Sequence, residues 1–223
     1  AKLPISGPEA AFFTHLHSGH TLGYPDLIFT SWVMRRNKPL QVYGPKGLQR
    51  MTNLIMKAWA EDIEIRINGL EKEQRNYLAV NVHEIKAGIV YDSAGVKITA
   101  IPVLHGTSKY SYGYRIDTPD RSIVISGDTR PCPALLQASQ GVDVLIHEVY
   151  AAGSAKPENR PGGEYWPAYC QQFHTSDIEL GKIAAEAKPT LLILTHLGRS
   201  GATDSALING VRAGGYKGDL MIG

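Results

Sequence analysis

Four short apolar runs, each composed like a buried strand, stop at a residue able to hold a metal ion. Phe12-Phe13-Thr14 runs into His15, Ile101-Pro102-Val103-Leu104 into His105, Ile123-Val124-Ile125-Ser126-Gly127 into Asp128, and Leu191-Leu192-Ile193-Leu194-Thr195 into His196. Stretches with helical periodicity separate such runs, which is the pattern of a layered α/β architecture. In an α/β sheet, ligands collect outside the carboxyl ends of the strands, so these endings can converge on one pocket. Imidazole and carboxylate are the ligands that a borderline cation such as Zn²⁺ takes.

The patterns predict strands at 11–14, 40–43, 80–84, 96–103, 111–116, 122–126, 142–146 and 191–194, and the chain stops in a further strand-like run, Leu220-Met221-Ile222. Helices are expected at 22–35, 46–61, 133–139, 176–187 and 204–212. Thr118-Pro119-Asp120 has the turn chemistry to join two of the strands as a hairpin. One long irregular segment, Ala151 to Phe173, is rich in Pro and Gly and carries Tyr165, Trp166 and Tyr169. It reads as a lid or a floppy insertion, and the clustered aromatics favour a lid.

The densest chemical signal is His15-Leu16-His17-Ser18-Gly19-His20, which holds three of the chain's eight histidines. The i, i+2 pair His15 and His17 can point two imidazoles to one side of an extended turn, and His20 follows at the start of the next helix. A His-rich polar turn is the plain alternative. Asp128 could equally cap a helix beginning near Pro131. His147-Glu148 follows another apolar run, and His174-Thr175-Ser176 opens a helix. Glu148 and His174 could pair, the carboxylate setting the imidazole's tautomer, or Ser176 could be a helix cap and Glu148 a solvated strand end. His83 has no evident partner and is read as a solvent-facing or edge residue.

Composition narrows the class. A length of 223 residues suits one domain covering residues 1–223, and 20% charged residues with a net charge of +2 exclude a disordered chain and give no nucleic-acid footprint. No apolar run approaches the roughly 18 residues of a membrane span. Cys132 and Cys170 form no CxxC pair, so neither a disulfide framework nor a compartment, cytoplasmic or secreted, can be read from them.

Together these stretches resemble the metallo-β-lactamase superfamily, and within it tRNase Z and related metal-dependent hydrolases. The family's HxHxDH motif is matched by His15 to His20 at all but one position. Similar too are Tyr43-Gly44-Pro45-Lys46-Gly47, Tyr112-Gly113-Tyr114-Arg115, Ser126-Gly127-Asp128-Thr129, Leu145-Ile146-His147-Glu148, His174-Thr175-Ser176 and Leu194-Thr195-His196, in family order. The resemblance implies an αββα sandwich. It implies that His15, His17 and His105 bind a first metal, His20 and His196 a second, with Asp128 bridging. Asp128 would also orient a bridging hydroxide, and Glu148 with His174 match the pair that assists proton delivery to the leaving group. The expected cofactor is Zn²⁺ at two sites, with Mn²⁺ or Fe²⁺ as substitutes.

Three departures shape the expectation. Gly19 stands where the family has an aspartate ligand, so the second metal should bind more weakly; the plain alternative is a turn glycine with positive φ. Only Asp117 to Arg121 lies where exosite-bearing tRNase Z enzymes insert a tRNA-gripping arm. The family's opening strands and the continuation of the last strand are absent, so the natural protein is expected to be longer. These points favour a small-molecule or ester substrate, such as a phosphodiester, sulfate ester, lactam or carboxylic ester, in a homo-oligomer with no membrane partner. The alternatives are a tRNA 3′-processing endoribonuclease and, from another class, a degenerate non-catalytic scaffold. The redox relatives of the fold carry a carboxylate where this chain has His17.

Overall fold

In the computed structural model, which describes residues 7–223, every run read as a strand takes part in a sheet, and the chain divides into two units, Ala1–Lys86 and Ala87–Gly223. The mixed α/β class expected from the sequence is present in both.

In the first unit, β1 (Ala10–Phe12), β2 (Leu40–Gly44) and β3 (Val80–Glu84) lie side by side, all parallel. Parallel neighbours cannot be joined by a hairpin, so helices make the crossovers. These are α1 (Ser18–Thr21) and α2 (Tyr24–Val33) before β2, then α3 (Leu48–Ala58), α4 (Ala60–Asn68) and α5 (Arg75–Leu78) before β3. Along α2, Tyr24, Ile28 and Trp32 recur at the helical period and are buried with Leu40 and Val42 of β2. The predicted helix 22–35 begins at Tyr24 because Pro25 fits only a first turn. The predicted helix 46–61 breaks at Trp59, whose backbone leaves the helical region. No side chain of its own N-cap serves α3; Glu84 at the end of β3 accepts hydrogen bonds from the N–H groups of Gly47 at 2.7 Å and Gln49 at 3.2 Å. His83 does have partners: the register places it beside Tyr43, on which it stacks at 4.4 Å, and its Nε2 lies 3.0 Å from Gln41 Oε1.

The second unit is a sheet with two halves. β4 (Gly88–Ser93), β5 (Val96–Pro102), β6 (Tyr112–Asp117) and β7 (Ser122–Ile125) form an antiparallel meander. From β7 onward, β8 (Val144–Tyr150), β9 (Leu191–Gly198) and β10 (Asp219–Ile222) are parallel. Two of the meander's connections are tight turns, at Ala94-Gly95 with both residues left-handed and at Thr118–Arg121 closed by Thr118 N–H to Arg121 O at 2.8 Å, while the longer loop from β5 to β6 carries His105. The parallel half needs crossovers, supplied by α6 (Pro133–Ala138), α8 (Asp177–Ala187) and α9 (Asp204–Ala213). β4 escaped the sequence reading because it is an edge strand, exposed along most of its length.

Leu145, Leu192 and Leu194 from the sheet and Leu180, Ala184, Leu207 and Val211 from the helices form one fully buried core. Leu192→Ala should therefore destabilise the protein by about 2–5 kcal/mol, read as a lower midpoint in chemical denaturation. Helix α8 starts on a capping box, with Ser176 Oγ accepting from Glu179 N–H and Glu179 accepting in return. The cap expected at Ser176 is real, and Asp128 is not a helix cap, since α6 starts from Cys132.

Three expectations change here. Strand β8 runs on to Tyr150, so His147 and Glu148 lie inside it; β9 runs on to Gly198 and contains His196. Pairing between these two strands along their whole length prolongs both. The segment 151–173 is not irregular throughout: it ends in α7 (Trp166–Phe173), with Pro167 placed in the first turn. Trp166, Tyr169 and Phe173 recur at helical spacing and stack, with ring centroids 5.2 and 4.4 Å apart.

Candidate metal centre

In the first unit, β1 is held by β2, and Phe13 N–H donates to Tyr43 O at 2.8 Å before the chain turns into the histidines. His15 is buried, with its Nδ1 3.1 Å from Thr14 Oγ1. His17 is the N-cap of α1, and its carbonyl accepts from His20 N–H at 3.0 Å and Thr21 Oγ1 at 3.1 Å. This single turn gathers the rings: His15 lies 4.7 Å from His17 and 4.2 Å from His20, centroid to centroid. Gly19 sits inside α1 and is absent from the residues with positive φ, so it is not a turn glycine. A Cβ added there would meet nothing within 4 Å.

In the second unit, the carboxyl ends of β5, β7, β8 and β9 open on one side of the sheet, because β5 and β7 run the same way and β7, β8 and β9 are parallel. His105 follows β5 and is 1% exposed. Its Nδ1 lies 2.9 Å from the Phe173 carbonyl, which can only accept, so Nδ1 carries the proton and Nε2 presents its lone pair. The positive φ of Gly106 lets the chain turn there, where a side chain would run into the Phe173 ring. Asp128, buried after β7, has Oδ2 3.5 Å from His196 Nε2. The donor atoms of His105, Asp128 and His174 lie within 4.8 Å of one another.

Glu148 is 1% exposed, a charge that burial would make costly without partners. It has them. Its Oε1 accepts from Thr129 N–H at 2.5 Å, and its Oε2 lies 2.8 Å from His174 Nδ1 and 3.8 Å from His196 Nδ1. The carboxylate of Glu148, ahead of that of Asp128, holds the His196 imidazole above its ordinary pKa although burial opposes this. His196 reaches the cluster because it is the extra residue of a bulge: Glu148 pairs with Thr195 and Val149 with Leu197, and His196 has φ 44°. Its neighbour in sequence to Glu148, His147, points to the opposite face of β8 as strand alternation requires. There its Nδ1 is bonded to Glu148 O at 2.7 Å, and burial keeps the ring neutral by lowering its pKa.

Every residue proposed from the sequence thus falls into one of two groups, His15, His17 and His20 in the first unit and His105, Asp128, Glu148, His174 and His196 in the second. The supporting groups were not foreseen. Thr175 Oγ1 donates to Thr129 O at 2.6 Å, Glu148 N–H donates to Ser126 Oγ at 3.0 Å, and the carbonyl end of α7 orients His105. Hydroxyls and carbonyls carry no recognisable spacing, so no sequence signal marks them.

A family model described as a beta-lactamase superfamily domain matches residues 2–197. The chain belongs to the metallo-β-lactamase superfamily. Among curated relatives of this metallo-β-lactamase chain, a ribonuclease Z of Mycobacterium sp. (strain KMS) is 30% identical over 88% of this chain and 68% of its own length. A ribonuclease Z of Mycobacterium marinum is 33% identical over 86% and 68%. Among solved structures, a metallo-beta-lactamase fold protein of Bacillus subtilis superposes with a TM-score of 0.69 at 19% identity, covering 96% of this chain and 74% of that one. The short form of human tRNase Z gives 0.68 at 17%, covering 100% and 79%. These two likenesses speak to the fold. Among the described residues, no helix is long and apolar enough to cross a membrane.

Proposed function

We propose that this chain is a metal-dependent hydrolase that cleaves an ester-type bond, a phosphodiester, sulfate ester, or lactam or carboxylic ester, with Zn²⁺ as the cofactor. The observation that carries the reading is the hydrogen-bonded pair of buried Glu148 and partly buried His174, whose donor atom also lies within 4.8 Å of those of His105 and Asp128. The donor set suits a borderline divalent cation: imidazoles, one of them locked with Nε2 outward, and a buried carboxylate. We assign His15, His17 and His20 of the first unit and His105, Asp128 and His196 of the second as the residues that would serve as ligands of two such cations. A bound cation of this kind supplies a nucleophile from water at neutral pH and offsets charge that develops on the substrate.

The chain's own residues supply the rest. Glu148 accepts the Nδ1 proton of His174, which fixes the ring and leaves Nε2 as the atom that exchanges a proton with substrate. In the imidazolium form, Nε2–H can protonate a departing oxygen. Thr129 N–H keeps Glu148 from turning away, so the pair stays aligned through turnover. Asp128, held at the β7 end, would orient the attacking water.

The test is a panel of bis(4-nitrophenyl) phosphate, 4-nitrophenyl sulfate, 4-nitrophenyl acetate and a precursor tRNA, run with elemental analysis of protein purified without chelator. About two metals per chain and turnover of at least one small ester are expected. No metal even after added zinc, with no turnover, would overturn the reading in favour of a scaffold. Cleavage of precursor tRNA alone would establish the second reading, ribonuclease Z-type processing, which the curated relatives favour. Against it stand the short Thr118–Arg121 turn and the net charge of +2.

Gly19→Asp offers a separate check on the second metal. Open space around its Cβ position and an unstrained backbone mean that aspartate fits as it stands. The added carboxylate should tighten the weaker metal by at least about tenfold in a competitive chelator titration, as an added charged ligand does. Unchanged affinity would mean that Gly19 is not what limits that site.

A further inference from the structure

Three hydrogen bonds close a ring around Glu148 and His174. His174 Nδ1 donates to Glu148 Oε2 at 2.8 Å, Thr129 N–H donates to Glu148 Oε1 at 2.5 Å, and Thr175 Oγ1 donates to the Thr129 carbonyl at 2.6 Å. The ring joins three segments that are distant in sequence: the turn after β7 that carries Asp128, strand β8, and the link between α7 and α8. Thr175 is the member whose hydroxyl has no local duty. Helix α8 is already capped by Ser176 and Glu179, so the Thr175 hydroxyl is not needed there. The residue is also fully buried, where a valine would have the same shape and no polar group to satisfy. Its backbone is fixed as well, since its carbonyl accepts from Tyr150 N–H of β8 at 3.0 Å. Thr175 is thus tied to β8 through its main chain and to the residue after Asp128 through its side chain, and His174 is its direct neighbour in the chain.

We infer that Thr175 is a positioning residue of the proposed reaction: its hydroxyl sets His174, which delivers the proton, at a fixed separation from Asp128, which orients the attacking water. The inference rests on the hydrolase reading and deepens it. Attack and proton delivery act on opposite sides of one reacting centre, so the two groups serve it only while their separation holds; their donor atoms lie within 4.8 Å of one another. Without the hydroxyl, the Thr129 carbonyl would face a buried methyl group, and a buried acceptor without a donor is costly enough to move the segments that carry it. His174 would then move with Thr175, while Glu148 stays on Thr129 N–H, and the imidazole and the carboxylate would part. A misplacement of about 1 Å in a positioned group costs up to about 10²-fold in rate.

Thr175→Val keeps the volume and removes the hydroxyl. It should lower kcat by about 10- to 100-fold on an alkyl ester of the class that the parent hydrolyses, with KM within about twofold and metal content unchanged. On the 4-nitrophenyl counterpart the loss should stay within about threefold, because that group departs without a proton. Thr175→Ser keeps the hydroxyl and should match the parent within about threefold on both substrates. Serine and alanine differ by the hydroxyl alone, so Thr175→Ala set against Thr175→Ser makes the same comparison if the valine variant does not fold. A second readout needs no turnover. In spectra of the ¹⁵N-histidine-labelled full chain, the Nδ1–H of His174, assigned with His174→Ala, should be downfield and slow to exchange in the parent and in Thr175→Ser, and lose both properties in Thr175→Val and Thr175→Ala. The Nδ1–H of His147, which donates to the Glu148 carbonyl on the other face of β8, is the reference signal that should stay in place. Equal losses on both leaving groups, a serine variant as slow as the valine one, or an unmoved His174 resonance would overturn the inference. A parent that turns over no ester would overturn the hydrolase reading alone, and the His174 resonance would still decide whether the Thr175 hydroxyl holds the pair together.

Discussion

Replacing His174 with alanine should lower kcat by about 10²–10⁴-fold on an ester with a poor leaving group, such as an alkyl phosphodiester, and leave the metal content unchanged. The range is what a positioned general acid contributes. It should shrink to within about tenfold when the leaving group is 4-nitrophenolate, which departs without a proton. The reason is the geometry of the pair. Nδ1 of His174 is committed to Glu148 at 2.8 Å, and the carboxylate is itself anchored by Thr129 N–H at 2.5 Å, so only Nε2 can serve the substrate. Glu148→Gln tests the same chain of contacts from behind, since it removes the carboxylate that accepts from both His174 Nδ1 and Thr129 N–H. Equal losses on both leaving groups would count against an acid role. So would a loss of metal, because the donor atoms of His174 also lie within reach of those of His105 and Asp128.

The second large effect is expected at His17. His17→Ala should reduce the metal content of the purified protein and cut activity by about 10³-fold or more, the equivalent of the several kcal/mol that a Lewis-acid metal contributes. His17 is well suited to the test because its side chain is exposed, so its removal leaves no cavity, and its backbone carbonyl, which receives His20 N–H and Thr21 Oγ1, is retained. Thermal stability of the metal-free variant should match that of the metal-free parent. Full metal content with full activity would remove His17 from the ligand set. Added zinc that restores activity without restoring affinity would place its role in affinity alone.

How much of this was legible beforehand differs from residue to residue. His15, His17 and His20 stood out because six consecutive residues carry three imidazoles, and local geometry alone, one turn of helix, brings the rings within 4.7 Å. The Glu148–His174 pair could only be suggested, since 26 positions separate the partners and a carboxylate at a strand end is ordinarily solvated. Parallel pairing of β8 with its neighbours and the start of α8 settle it. His196 was read as following its strand, whereas a bulge within the strand aims it at Asp128 and Glu148. Bulges have no reliable sequence mark unless a glycine or proline announces them. Trp166 and Phe173 were noticed as part of an aromatic-rich loop; in helix α7 they flank Tyr169 in one stack, and the Phe173 carbonyl supports His105.

By itself, then, the sequence determined most of the strands and the longer helices, the α/β class, the family and the identity of the chemically capable side chains. Those follow from periodicity, turn residues and short motifs, which are local properties of the chain. Only the tertiary structure decided which of those side chains meet and which nitrogen of His105 faces outward. Such facts depend on hydrogen bonds between residues far apart in sequence, and those bonds exist only once sheet register and helix packing have brought their partners together.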